Sequence, residues 1–282
     1  MKASLLALCV CAMLFPCPIR AQQTAVVNDY FDMKYRREPV SFDVQARGDV
    51  TLKDTPAQAE RLDAGTVRLW TAVDTDSPTQ LVFAVVDGKP APGMACSVAD
   101  AGEVGGVKLA DVRNALGFAA LIPVGSATFP LPRSAFDVPG PVASVSRDGA
   151  QWYGTGYLES MRRVKSVACS TTHGPIFFES MIVYEFEDDR RYTARVRVFA
   201  GKPYAQIVED FDLGGASRFV FNLDDWQPTR FLLPTDSNYG RWLAITNRAA
   251  AAEAEDFIQI EGQRCFARLT IWSQHNYIRG KQ

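Results

Sequence analysis

Histidine is almost missing from this chain, with only His173 and His275 among 282 residues. Neither belongs to a close pair of cysteines or histidines of the kind that zinc sites use, so no metal is expected. Long apolar runs are also missing: the longest, LLALCVCAMLF near the amino terminus, holds about 11 residues, well short of the roughly 20 that cross a bilayer as a helix. No membrane span is therefore expected. Basic tracts are absent too, with 30 Lys and Arg against 32 Asp and Glu spread along the chain, which argues against nucleic acid or an anionic lipid surface as partner. The sequence contains no GxSxG elbow, phosphate loop or dinucleotide fingerprint, so no cofactor is expected either.

What is present begins with an export signal. Lys2 precedes the apolar run, Pro16 and Pro18 follow it, and the small residue Ala21 stands just before Gln22 and Gln23. Residues 1–21 are expected to be a signal peptide, and the mature chain to be periplasmic or secreted. Taking Lys2 and Arg20 from the 30 basic side chains leaves 28 against 32 acidic ones. Three of the six cysteines leave with the signal. Cys96, Cys169 and Cys265 remain, an odd and widely spaced set that leaves room for one disulfide but not for a disulfide framework.

Period-two alternation recurs along the rest of the chain, as in PVSFDV, GTVRLWTAV, TQLVFAVV, GFAALIPV, PIFFESMIVYEF, YTARVRVFA, PYAQIVEDFDL, SRFVFNL, DFIQIE and CFARLTIW. These predict strands and an all-β fold. Two short segments read as helical, Lys108 to Leu116 and the alanine-rich Asn247 to Asp256. Proline and glycine cluster in FPLPRSAFDVPGPV, residues 129–142, which predicts a connection between two domains, 27–135 and 136–282.

The order of segments, EPVSFDV, TLKD, PAQAERLDAGTVRLWTAVD and TQLVFAV in the first half, then PGPVASVSRDGAQWYGTGYLES, HGPIFFESMIVYEF and RRYTARVRVFAGKPYAQIVEDFDLGG, resembles exported bacterial exo-rhamnogalacturonan lyase-like proteins. The resemblance implies an amino-terminal β-barrel or sandwich of the RIFT-related type, followed by part or all of a super-β-sandwich similar to galactose-mutarotase-like domains. It also implies a helical catalytic domain that this chain does not contain, which makes the chain a fragment or a shortened relative. Polysaccharide or oligosaccharide is the partner it implies.

Within PYAQIVEDFDL, Glu209 shares a strand face with Ala205, Ile207, Phe211 and Leu213, a carboxylate among apolar neighbours. Desolvation there would tune it as a general acid unless a donor or cation meets it; the alternative is a partnered strand glutamate. Asp210 and Asp212 fall on the opposite face. His173, His275 and Tyr277 complete the candidate acid/base set. Trp152, Tyr153 and Trp226, in glycine-rich or acidic contexts, are the candidate sugar platforms, whereas Trp70 reads as core. Three functions remain open: a glycan-binding or supporting module, a self-sufficient lyase or glycosidase acting on an acidic polysaccharide, and an interaction protein without a sugar ligand.

Overall fold

A computed structural model describes residues 23–28, 35–75, 80–211, 213, 217–222, 228–234, 242–245, 257–262 and 266–270. Every strand pairing among them is antiparallel, and one 3₁₀ turn is the sole helical element among the described residues. The fold is all-β. The chain divides into two compact units, residues 1–91 and 92–282.

The first unit holds β1 (Thr24–Asn28), β2 (Tyr35–Gln45), β3 (Val50–Leu52), β4 (Gln58–Arg61), β5 (Thr66–Thr75) and β6 (Gln80–Asp87). They form two three-stranded sheets, ordered β1-β6-β3 and β2-β5-β4. Alternation explains the packing: Val67, Leu69, Thr71 and Val73 of β5 are buried while their neighbours are not. Val44, Leu69, Leu52 and Val85, drawn from both sheets, share one core. Trp70 lies on the other face of β5, half-buried, with its indole N–H donating to Glu60 at 3.1 Å. It is not a core residue, because its position in the alternation puts it opposite Leu69.

The second unit is built on two five-stranded sheets. One is ordered β10-β14-β15-β16-β17, from β10 (Ala127–Ser134), β14 (Arg163–His173), β15 (Phe177–Phe186), β16 (Arg191–Phe199) and β17 (Ala205–Phe211). The other is ordered β12-β11-β9-β8-β7, from β7 (Cys96–Val104), β8 (Val107–Asn114), β9 (Ala119–Pro123), β11 (Ser144–Ser146) and β12 (Trp152–Tyr153). Val112, Ile122, Val167, Phe178, Ile182, Tyr184 and Val196 come from both sheets and belong to one buried cluster. A two-stranded ladder joins β13 (Thr155–Glu159) to β18 (Arg218–Asn222), and a further sheet is ordered β20-β19-β21-β22, from β19 (Pro228–Pro234), β20 (Trp242–Ile245), β21 (Phe257–Gly262) and β22 (Phe266–Thr270).

Two segments differ from their sequence reading. Lys108 to Leu116, expected to be helical, lies almost wholly in β8, where Ala110, Val112 and Asn114 are buried on one side of the strand. Asp111 and Arg113 pair on the opposite side. Period-two burial against β9 outweighs whatever helix propensity the segment has. Residues 129–142, expected to be a connection, contain most of β10 and the 3₁₀ turn Ala135–Asp137. Pro130 and Pro132 are tolerated because β10 is an edge strand and both fall in the interval between Thr128 and Arg133 where its register with β14 shifts; a residue without an N–H removes no ladder bond there. Residue 135, the expected end of the first domain, lies inside the second unit. The alanine-rich segment Asn247 to Asp256 and residues 1–21, expected to be a signal peptide, lie outside the described residues.

Candidate functional site

Strand β16 carries Tyr192, Ala194, Val196 and Val198 on its core side, all buried. Tyrosine at the start of an apolar row brings a hydroxyl that must find a partner. Across the ladder β17 places Glu209 opposite Ala194, diagonal to Tyr192, and the Tyr192 hydroxyl donates to Glu209 Oε1 at 2.5 Å. Burial pushes the Tyr192 phenol well above its ordinary value, with the Glu209 charge and the hydrogen bond adding to it. Tyr192 therefore stays a donor. The adjacent Tyr184 ring lies 5.4 Å away, and its own hydroxyl donates to the Pro139 carbonyl at 2.9 Å.

Glu209 is exposed, not enclosed as its apolar neighbours in sequence led one to expect. The reason is its place on an edge strand, where Ala205 and Ile207 are only partly covered and water reaches the end of the row. Through Oε1 it accepts from the Tyr192 hydroxyl.

Beside this pair lies a recess of about 140 Å³. Glu209 and Tyr192 line it. So does the end of the β13–β18 ladder, where Glu159 stands opposite Arg218. That register makes the Arg218 guanidinium donate to the Glu159 carboxylate, and Glu159 holds the Arg218 pKa above its ordinary value. Just beyond this row, the Ser160 and Ser217 hydroxyls meet at 2.8 Å, while the Arg162 N–H donates to Ser160 Oγ at 3.2 Å. Phe219 also lines the recess. Its ring rests on glycine backbone: a Cβ at Gly140 would come within 2.6 Å of Phe219 Cε2.

The remaining candidates are scattered. His173 ends β14 in an exposed position, its ring edge-on to Phe178 with centroids 4.9 Å apart. Its ladder row runs through Phe178 and Val198 to Ala205, three strands away and four residues from Glu209. Strand geometry makes that separation roughly 20 Å, so His173 and Glu209 do not act on one bond. Trp152 and Tyr153 are half-buried on β12, at the edge of its sheet. Successive strand residues face opposite sides, so the two offer separate surfaces and not one platform. The Tyr153 hydroxyl donates to Gln151 Oε1 at 2.9 Å. His275, Tyr277 and Trp226 lie outside the described residues.

Cys96 and Cys169 are free thiols, the first buried and the second half-buried. Burial pushes them up to about 11 and about 12 respectively. Among the described residues no three His, Cys, Asp or Glu side chains converge as a metal site. Sequence reasoning missed Glu159, Ser160, Ser217 and Arg218, whose meeting depends on the pairing of β13 with β18, some 60 residues apart. Tyr192 was legible as part of an apolar face; the usable signal was a tyrosine and a glutamate on core-facing positions of adjoining strands. Set against models of known protein families, curated proteins and solved structures, the chain finds no match.

Proposed function

We propose that the chain is an exported, β-rich module of a carbohydrate-active protein, which binds a glycan or supports a catalytic partner domain. The observation that carries this reading is the recess of the second unit, where a flat aromatic ring, a carboxylate acceptor and hydroxyl groups line one small concavity. Sugars present an apolar ring face and a rim of hydroxyls, and such sites combine a mainly apolar lining with a few placed polar groups. The amino-terminal run and Ala21 support export. Half-buried Trp152 on an edge strand supplies a second apolar surface.

The enzymatic alternative, a lyase or glycosidase acting on an acidic polysaccharide, draws less support, since Glu209 already accepts a proton-bearing partner and His173 lies roughly 20 Å from it by strand geometry. Calorimetry of the purified mature chain against a glycan panel tests the reading. Heat of binding for at least one oligosaccharide, without new reducing ends or unsaturated products, is the expected result. Turnover abolished by Glu209→Gln in a folded protein would replace the module with the enzyme, and the absence of any binding would remove the sugar altogether.

A further inference from the structure

The groups around the recess carry more information than its shape. Glu209 and Glu159 bring two negative charges, and Arg218 brings one positive charge already held by Glu159. With two acidic side chains against one basic, an acidic ligand would meet a net negative lining. Glu209 accepts from Tyr192 at Oε1, and among the described residues its second oxygen takes no hydrogen bond. A carboxylate oxygen only accepts, so it calls for a ligand that donates. The Ser160 and Ser217 hydroxyls supply the complement. One of their two hydrogens lies between the oxygens, and Ser160 Oγ takes the Arg162 N–H, so one hydroxyl hydrogen is left to donate outward.

Among the described residues the recess thus pairs an acceptor oxygen with a spare hydroxyl hydrogen, and its one cation is ion-paired through Nε with Glu159; that combination matches a group that is both donor and acceptor, namely a hydroxyl. The Phe219 ring adds an apolar surface on the same recess. Size limits the occupant: about 140 Å³ is under half of the roughly 300 Å³ at which pockets for drug-sized ligands begin. That is room for one ring, not several.

Resting on the glycan-module reading, we propose that this recess holds a single uncharged sugar ring of a neutral oligosaccharide, with Glu209 accepting from ring hydroxyls, a Ser160 or Ser217 hydroxyl donating back, and Phe219 against the apolar face, and that it excludes uronate residues. The site thereby separates neutral from acidic glycans by charge, without a metal and without a basic clamp.

The test uses the mature chain, a neutral β-linked galactose or glucose tetrasaccharide panel, and an oligogalacturonate of the same length, measured by calorimetry at low and at 0.5 M salt (about). The neutral panel is expected to contain a ligand bound at least about tenfold more tightly than the uronate, and Glu209→Gln to weaken it by about tenfold, the scale of losing a hydrogen bond to a charged acceptor. Ser217→Ala is expected to weaken it less. Both positions are accessible, and thermal melting confirms that the variants fold. Uronate bound as tightly as the neutral ligand overturns the proposal. Neutral binding unchanged by Glu209→Gln and Ser217→Ala overturns it as well, while leaving the module reading intact with its sugar elsewhere. No binding of any glycan removes both.

Discussion

At the scale of single residues, two buried tyrosines with superficially similar hydrogen bonds have different consequences. The Tyr184 hydroxyl donates to the carbonyl of Pro139, which is buried, whereas Tyr192 donates to the exposed Glu209. Removing a donor costs most where its acceptor cannot turn to water. Tyr184→Phe is therefore expected to lower stability by about 1–3 kcal/mol and Tyr192→Phe by about 1 kcal/mol, read from urea midpoints. Equal losses would mean that Glu209 is shielded from solvent. The thiols set a second expectation. Burial raises Cys96 to about 11 and Cys169 to about 12, so the unfolded chain loses these protons first. Their contribution to stability is whole below about pH 8.5 and declines as pH rises toward 11, because ionisation then favours the unfolded state. The Cys96→Ala, Cys169→Ala double variant is expected to lose less stability than the parent between about pH 8 and 9.5, before Tyr184 and Tyr192, also raised by burial, add their own share as the unfolded phenols ionise near pH 10.

At the scale of elements, the β13–β18 ladder depends on glycine. A Cβ on Gly156 would lie 1.7 Å from the Val142 carbonyl oxygen, whereas one on Gly48 meets nothing within 4 Å. Backbone atoms cannot step aside as a side chain can. Gly156→Ala is expected to cost about 3 kcal/mol or more and to disturb the recess, while Gly48→Ala in the first unit stays close to neutral. A pair of melting curves decides it, and a neutral Gly156→Ala would mean that β13 does not sit against residue 142. The large core strands are less particular about shape but sensitive to volume. Ile182, fully buried at the centre of β15, is expected to cost about 2–5 kcal/mol on truncation to alanine. Strand β14 shows why elements can escape a sequence reading. Its inward residues Val164, Val167 and Cys169 do not keep strict alternation, because the register with β15 shifts between Val164 and Ser166. One extra residue breaks the period, so the string RVKSVACSTTH shows no strand signal although it pairs on both sides.

At the scale of the whole molecule, the segment 88–94 between β6 and β7 has no regular structure and is exposed almost throughout. It spans the division between the compact units at residues 91 and 92. Residues 129–142, in contrast, are held by β10 and by buried Ala135, Val138, Pro139 and Val142. A protease of broad specificity is expected to cut within 88–94 before it cuts within 129–142, with the new amino terminus located by sequencing. First cleavage at 129–142 would show that β10 detaches easily from its sheet. Circular dichroism of the chain from residue 22 onward is expected to be dominated by β-structure.

The sequence by itself determined the class of fold and the inward face of most long strands. Tyr192, Ala194, Val196 and Val198 alternate with Thr193, Arg195 and Arg197, and burial follows that alternation because a pleated strand turns successive side chains to opposite sides. It also placed Glu209 on the core side of β17. What only the tertiary structure decided is the company each residue keeps. Arg197, predicted on the outer face, is nonetheless buried, paired with Glu179 at 2.5 Å and stacked over Phe177. Glu209 proved exposed because its strand lies at an edge, and its partner is Tyr192. Ser160 meets Ser217 only through the pairing of strands far apart in the chain. Local periodicity reports which way a side chain points; strand order and register, set by contacts across long loops, determine what it finds there.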